Sequence, residues 1–259
     1  MFRADCPCPP PGTRHSARAI GLSLLALAGV ALAGCAGSGP QVTKNGPDEV
    51  GFSASAARPA SLAALPVSES AMASDFLDLA FQMESGRALP VLSRFEGPIR
   101  VAVRGAMPPG AADDLARLIR RLQTEAGIDI AMATGGGVAQ ITVEFQPRAT
   151  LRRLAPTAAC FVVPGASSLA DFRRNRGSAA MDWGTVRTRT RAAIFVPSDT
   201  SPQEVRDCLH EELAQAIGPL NDLYRLPDSV FNDDNFNTML TDFDMAILRA
   251  YTAPELRSG

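Results

Sequence analysis

The chain has 259 residues, with 25 basic and 27 acidic side chains and a formal net charge of −2. That balance gives neither nucleic acid nor an anionic membrane an overall electrostatic reason to bind it. The positive charge is almost all arginine, with Lys44 the one lysine, and from that bias we read no function.

The first element in chain order is a targeting segment. Arg14 and Arg18 precede the apolar run "IGLSLLALAGVALAGC" at 20 to 35, which is too short and too rich in Gly and Ala for a membrane span. Residues 1–34 are therefore expected to be an export signal, and the long "MFRADCPCPPPGT" before it points to a translation start further along. The ending Leu32-Ala33-Gly34-Cys35 resembles the lipobox of bacterial lipoproteins. That resemblance implies cleavage before Cys35, lipid on its sulfur and membrane anchoring, with a plain secretion signal and a chance cysteine as the alternative. Ala36 in place of an aspartate implies, by the same resemblance, the periplasmic face of the outer membrane. Two or more acyl chains make such an anchor stable.

Cys6 and Cys8 leave with the signal and Cys35 takes the lipid, so Cys160 and Cys208 remain in the folded part. In an oxidising periplasm they are expected to pair, two buried free thiols being the other reading. No second histidine or base near Cys208 supports a nucleophilic role. Residues 36 to about 70, rich in Gly, Ser, Pro and Ala, read as a flexible tether with an r.m.s. span on the order of 30 Å. The organisation expected is a signal over 1–34, Cys35 and its tether over 35–69, and one domain over 70–259.

Within the domain, "SDFLDLAFQME" at 74 to 84 spaces Phe76, Leu77, Leu79 and Ala80 as a helix stopped by Gly86. "PIRVAVRG" at 98 to 105 alternates Ile99, Val101 and Val103 with Arg100, Ala102 and Arg104, the pattern of a half-buried strand. A second helix follows at 110 to 127, with Leu115, Leu118, Ile119 and Leu122 on one face and Gly127 closing it. "IDIAMA", "AQITVEFQ", "ACFVV" and "RAAIFVP" read as strands. Gly135-Gly136-Gly137 is a turn between two of them, since no phosphate-loop G-x-x-x-x-G-K-[ST] is present. Residues 148–191 are basic and the stretch after Asp199 is acidic, so the two are expected to complement one another within the fold, a separate polyanion site being the other reading.

The next helix, over 203 to 218, opens at Ser201-Pro202 and stops at Gly218-Pro219. Leu209, Leu213, Ala216 and Ile217 form one arc, and Glu211, Glu212, Gln215 and Gly218 fall on the other side. A zinc peptidase needs two ligands one turn apart and a glutamate between them to deprotonate a metal-bound water. Counted from His210 that geometry fails at Ala214, which leaves His210 as a bystander at the helix edge. Counted from Glu211, "EELAQAIGPLN" superimposes on H-E-x-x-H-x-x-G-x-x-H. Glu211, Gln215 and Asn221 take the ligand positions, Glu212 the general-base position and Gly218 the glycine that ends the helix.

The chain thus resembles a metzincin-type zinc peptidase with every histidine replaced. "DSVFND" at 228 to 233 lies where metzincins have the tight turn beneath the metal, though without methionine. Thr241 and Asp244 form a capping box opening a carboxy-terminal helix in "LTDFDMAILRAYTAPEL". "HEELAQAIGPLND", "DSVFNDDNF" and "LTDFDMAILRA" together resemble a domain of unknown function in proteobacterial lipoproteins, over roughly 70 to 259. The implied fold is α+β and zincin-like, a mixed sheet with a site helix and a C-terminal helix.

Chemistry separates fold from activity. With His15 in the signal, one histidine is left, and zinc held by Glu211, Gln215 and Asn221 would be weakly bound. No cofactor is called for, zinc or calcium being the cations that Glu211, Glu212, Asn221 and Asp222 could hold. "DDNFNTMLTDFD" spaces oxygens like a calcium loop, with Asp244 twelfth, but has Thr238 at the turn-glycine position, so it reads as a loop and helix cap. No serine triad can be assembled, and carboxylate-pair glycoside hydrolysis finds only neighbouring Glu211 and Glu212 with Asp222.

The expected function is a membrane-anchored periplasmic lipoprotein whose non-catalytic cleft, with Glu211, Gln215, Asn221 and Asp222 as candidates, binds an envelope protein or peptide and no nucleic acid. The alternatives are a divergent metal-dependent hydrolase with Glu212 as general base, and a purely structural envelope lipoprotein.

Overall fold

A computed structural model describes residues 67–259 apart from 233 and 235. The expected signal, the lipid site at Cys35 and nearly all of the expected tether lie outside the described residues.

The first helix, α1 (Glu69–Phe81), starts five residues before the expected one because Ser68 caps it, accepting from the Ala71 N–H. It also ends earlier. Gln82 turns extended and bridges Ala88, with Gly86 at φ +76° reversing the chain, so Glu84 leaves the helix. Leu79 and Ala80 are buried as expected, while Leu77 faces outward.

Five strands form one mixed sheet in the order β2-β1-β3-β5-β4. β1 (Ile99–Gly105) runs parallel to β2 (Ile130–Met132) on one side and to β3 (Ile141–Gln146) on the other. β5 (Ala192–Pro197) continues parallel to β3, and β4 (Phe161–Pro164) closes the edge antiparallel to β5. The glycine turn therefore joins two strands flanking β1 rather than a hairpin pair. Helices alternate with strands along the chain, so the domain is mixed α/β, where the sequence pointed to α+β with a mixed sheet.

Strand alternation builds a layer on each face of the sheet. Ile99, Val101, Ile141, Val143, Phe145, Ala192, Ile194 and Val196 join the larger core with α1, α2 (Ala111–Thr124), α5 (Pro202–Ile217) and α6 (Asp242–Tyr251). Ala193, Phe195 and Val163 point the other way, onto Leu151 of α3 (Arg148–Leu151) and Leu169 of α4 (Leu169–Asn175). β5 is buried along its whole length, which is why it reads as an unbroken apolar run.

Helix ends follow the local signals. Gly127, at φ +69°, turns the chain after α2 so that the Ile128 N–H reaches the Leu122 carbonyl. Thr241 and Asp244 form the expected capping box of α6, and Asp244 also accepts from Ser229 Oγ (2.5 Å) and the Val230 N–H (3.1 Å). Its carboxylate thus pins the "DSVF" turn to α6 and caps a helix, as the loop-and-cap reading of that stretch anticipated. Burial pushes this carboxyl above the ordinary aspartate range.

The expected internal complementarity of charge holds locally. Arg148 pairs with Glu204, and its N–H donates to Asp199 (2.6 Å). Arg189 instead caps a helix, and Arg153, Arg173 and Arg176 make no ion pair among the described residues.

Candidate functional site

The site helix α5 begins where its sequence says, with Pro202 in the first turn and Ser201 accepting from the Glu204 N–H. Its aliphatic arc, Leu209, Leu213, Ala216 and Ile217, is buried against the sheet. The opposite arc is not a solvated face: Glu212 is 3% and Gln215 7% exposed, and Glu211 is half-buried. Covering it is the chain that leads into the edge strand β4, fastened by the Cys160–Cys208 disulfide, whose Cα atoms lie 5.9 Å apart. That pairing was expected from the compartment and the cysteine count.

Between α5 and β4 lies a cleft of about 480 Å³. Residues 157–162 form one wall; Glu211, Glu212 and Gln215 project from α5, and Met83, Glu84, Trp183 and Leu220 complete it. Three carboxylates thus share one cleft. Gln215 Nε2 donates to Glu84 Oε1 at 2.8 Å, tying the helix to the segment after α1. The Cys160 sulfur and the carboxylates of Glu211 and Glu212 lie within 4.8 Å of one another.

Of the residues named from sequence, the fold gathers Glu211, Glu212 and Gln215, and turns the others elsewhere. Asn221 donates from Nδ2 to the Asp78 carbonyl (3.0 Å), and neither it nor the half-buried Asp222 lines the cleft. His210 stands aside from the cleft, as its bystander reading implied, but it is buried rather than at an exposed helix edge. It is 5% exposed, its Nδ1 accepts from the Leu240 N–H (3.0 Å), and it sits among Asp114, Arg121 and Arg206 away from the cleft. Burial, helped by Arg121, pushes its pKa down to about 4, so the imidazole is neutral near pH 7.

These contacts test the fit of a zinc-peptidase centre. Imidazole and thiolate are the donors that hold zinc tightly. Here the imidazole is engaged at Leu240, the Cys160 sulfur is in a disulfide, and the three ligand positions carry a carboxylate and two amides, each amide donating to another group. The donor set does not match that centre.

Sequence reasoning missed Glu84, Trp183 and Arg189. Glu84 was assigned to a helix that ends three residues before it. Arg189 looked like one of many arginines, yet it is 3% exposed and donates to the carbonyls of Gln215 (2.6 Å), Ala216 (2.9 Å) and Gly218 (2.5 Å). Its guanidinium lies 4.6 Å from the Trp183 ring centroid. It closes the C-terminal end of α5 with a cation where the helix dipole is negative. Burial pushes its pKa down to about 10, which leaves it charged at neutral pH.

Gly218 has a reason of its own. A Cβ there would stand 2.9 Å from the Tyr251 ring, so the glycine admits α6 against the end of α5. No curated protein matches the chain. A family model described as "Protein of unknown function (DUF2927)" matches residues 69–259, the whole of the folded domain described above, and the chain belongs to that family.

Proposed function

We propose that this protein is a lipid-anchored component of the bacterial cell envelope whose folded part is a zincin-like binding module without peptidase activity. The observation that carries the reading is the furnishing of the α5–β4 cleft. Glu84, Glu211 and Glu212 converge there, while the groups a zinc peptidase would use as ligands are carboxylate and amide, or are engaged elsewhere.

The cleft suits an extended segment of a partner protein. One wall runs into β4, the edge strand of the sheet, and edge strands are where extended peptides add. Three carboxylates in one lining favour a segment carrying basic side chains. The zincin-like reading is supported by the element order, by Gly218 at the end of the site helix and by the Thr241–Asp244 cap. Export is supported by the disulfide, which belongs to an oxidising compartment. The anchor at Cys35 rests on its lipobox-like setting.

One observation favours a divergent metal-dependent hydrolase with Glu212 as general base: the carboxylates of Glu211 and Glu212 lie within 4.8 Å of one another. Metal analysis of the purified protein, with a peptidase assay beside Glu212→Gln, separates the two. Sub-stoichiometric metal and no activity are expected. Stoichiometric metal with activity abolished by Glu212→Gln would overturn the binding reading. Cross-linking to envelope proteins should be lost when Glu84, Glu211 and Glu212 are replaced together by Gln, and unchanged cross-linking would favour a purely structural lipoprotein.

A further inference from the structure

The near-zero net charge conceals a strong segregation. Residues 148–191 hold nine arginines against Asp171 and Asp182 alone. The fold concentrates five of these arginines on one surface. Arg152 and Arg153 follow α3, Arg173 and Arg174 lie in the last turn of α4, Arg176 comes just after it, and all five are exposed.

The two helices are neighbours. Leu151 and Leu154 pack with Leu169 and Phe172, and the Arg176 guanidinium donates to the Leu154 carbonyl (3.2 Å). Two of the five have an acid nearby, Arg174 beside Asp171 and Arg152 beside Glu204, which also pairs with Arg148; Arg153, Arg173 and Arg176 make no ion pair among the described residues. Strand alternation places this layer on the face of the sheet opposite α5.

We propose that the α3–α4 arginine face docks on an anionic phospholipid surface, turning the opposite face of the sheet, with α5, away from the bilayer. Arginines beside an anionic bilayer each contribute about fivefold in partitioning, and the effect fades within a Debye length. The occupant follows from the chain itself. If Cys35 is lipidated, the domain is held at a bilayer, whose anionic headgroups are complementary in charge to the exposed arginines of this face. The inference uses the lipoprotein reading to choose a membrane over other polyanions, while binding through this face is tested without it.

The test uses the full chain carrying Cys35→Ser, so that no lipid contributes. It is sedimented with phosphatidylcholine vesicles with and without 30% phosphatidylglycerol, an on-the-order-of physiological anionic fraction. Binding should depend on phosphatidylglycerol and fall at least roughly thirtyfold in Arg153→Glu/Arg173→Glu, about fivefold for each arginine. The control Arg120→Glu/Arg257→Glu makes the same change in net charge on exposed arginines elsewhere and should bind like the parent. Thermal melts establish that both variants fold. Equal loss in the two variants, no dependence on phosphatidylglycerol, or retention on nucleic acid without vesicle binding would each overturn the proposal. Mass spectrometry of Cys35 in the membrane fraction addresses the lipoprotein reading separately.

Discussion

Replacing Arg189 by Met should loosen the C-terminal end of α5 and with it the cleft. The side chain is 3% exposed, and the carbonyls of Gln215, Ala216 and Gly218 accept from it at 2.6, 2.9 and 2.5 Å. Helix-end carbonyls lack intrahelical partners, and a buried acceptor left unpaired costs about 1–3 kcal/mol. Methionine fills much of the volume and needs no desolvation of charge, which offsets part of the loss. Three orphaned carbonyls less that offset leave a net destabilisation of about 3–5 kcal/mol. Trp183, the only tryptophan, stacks on the guanidinium, so its fluorescence reports unfolding in urea. With a slope of about 2 kcal/mol per molar urea, the midpoint should drop by roughly 2 M. Arg189→Lys, which keeps the charge but not the fork, should fall between the two. A Met variant within about 1 kcal/mol of the parent would refute the idea that this cation holds the end of the site helix.

His210 gives a pH test. Its folded pKa, about 4, lies below the ordinary 6.5, so its contribution is complete above about pH 6.5 and is lost as the pH falls toward 4. The full swing is about 3 kcal/mol, read as the difference in pH dependence of urea unfolding between the parent and His210→Gln; identical slopes would rule it out. Removing the disulfide by Cys160→Ala/Cys208→Ala frees a loop of separation 48 and should cost about 4 kcal/mol, checked by thermal unfolding beside a thiol count. Gly218→Ala forces its Cβ against Tyr251 and should cost about 1–3 kcal/mol by calorimetry, whereas Gly177→Ala meets no atom within 4 Å and has only its backbone conformation to strain.

Legibility in the sequence tracked the range of the interaction. Where the determinant lies within a few residues, the reading was close. Ser201-Pro202 and Gly218 bound α5, Thr241 and Asp244 make their capping box, and the alternation of Ile99 and Val101 marks β1. Even the α5 arc facing the cleft followed from one hundred degrees per residue. The reading failed where a distant partner decides. The helical pattern ran on to Glu84, yet the bridge from Gln82 to Ala88 ends α1 at Phe81 and delivers Glu84 to Gln215. His210 and Asn221 were assigned by register alone, while Leu240 and the Asp78 carbonyl, remote in the chain, determine where they point.

The sequence by itself determined the five strands, α2, α5, α6 and the one disulfide pairing open to the folded part, because caps, periodicity and a count of cysteines are local or arithmetical properties, while α3 and α4 were not read from it. Only the tertiary structure decided which carboxylates share a cleft, which arginine is buried and which are left on the α3–α4 surface. Those outcomes depend on the packing that brings the antiparallel edge strand β4, α5 and the segment after α1 together. A side chain's charge is written at its position, but its electrostatic role is set by what the fold places within a few ångströms of it.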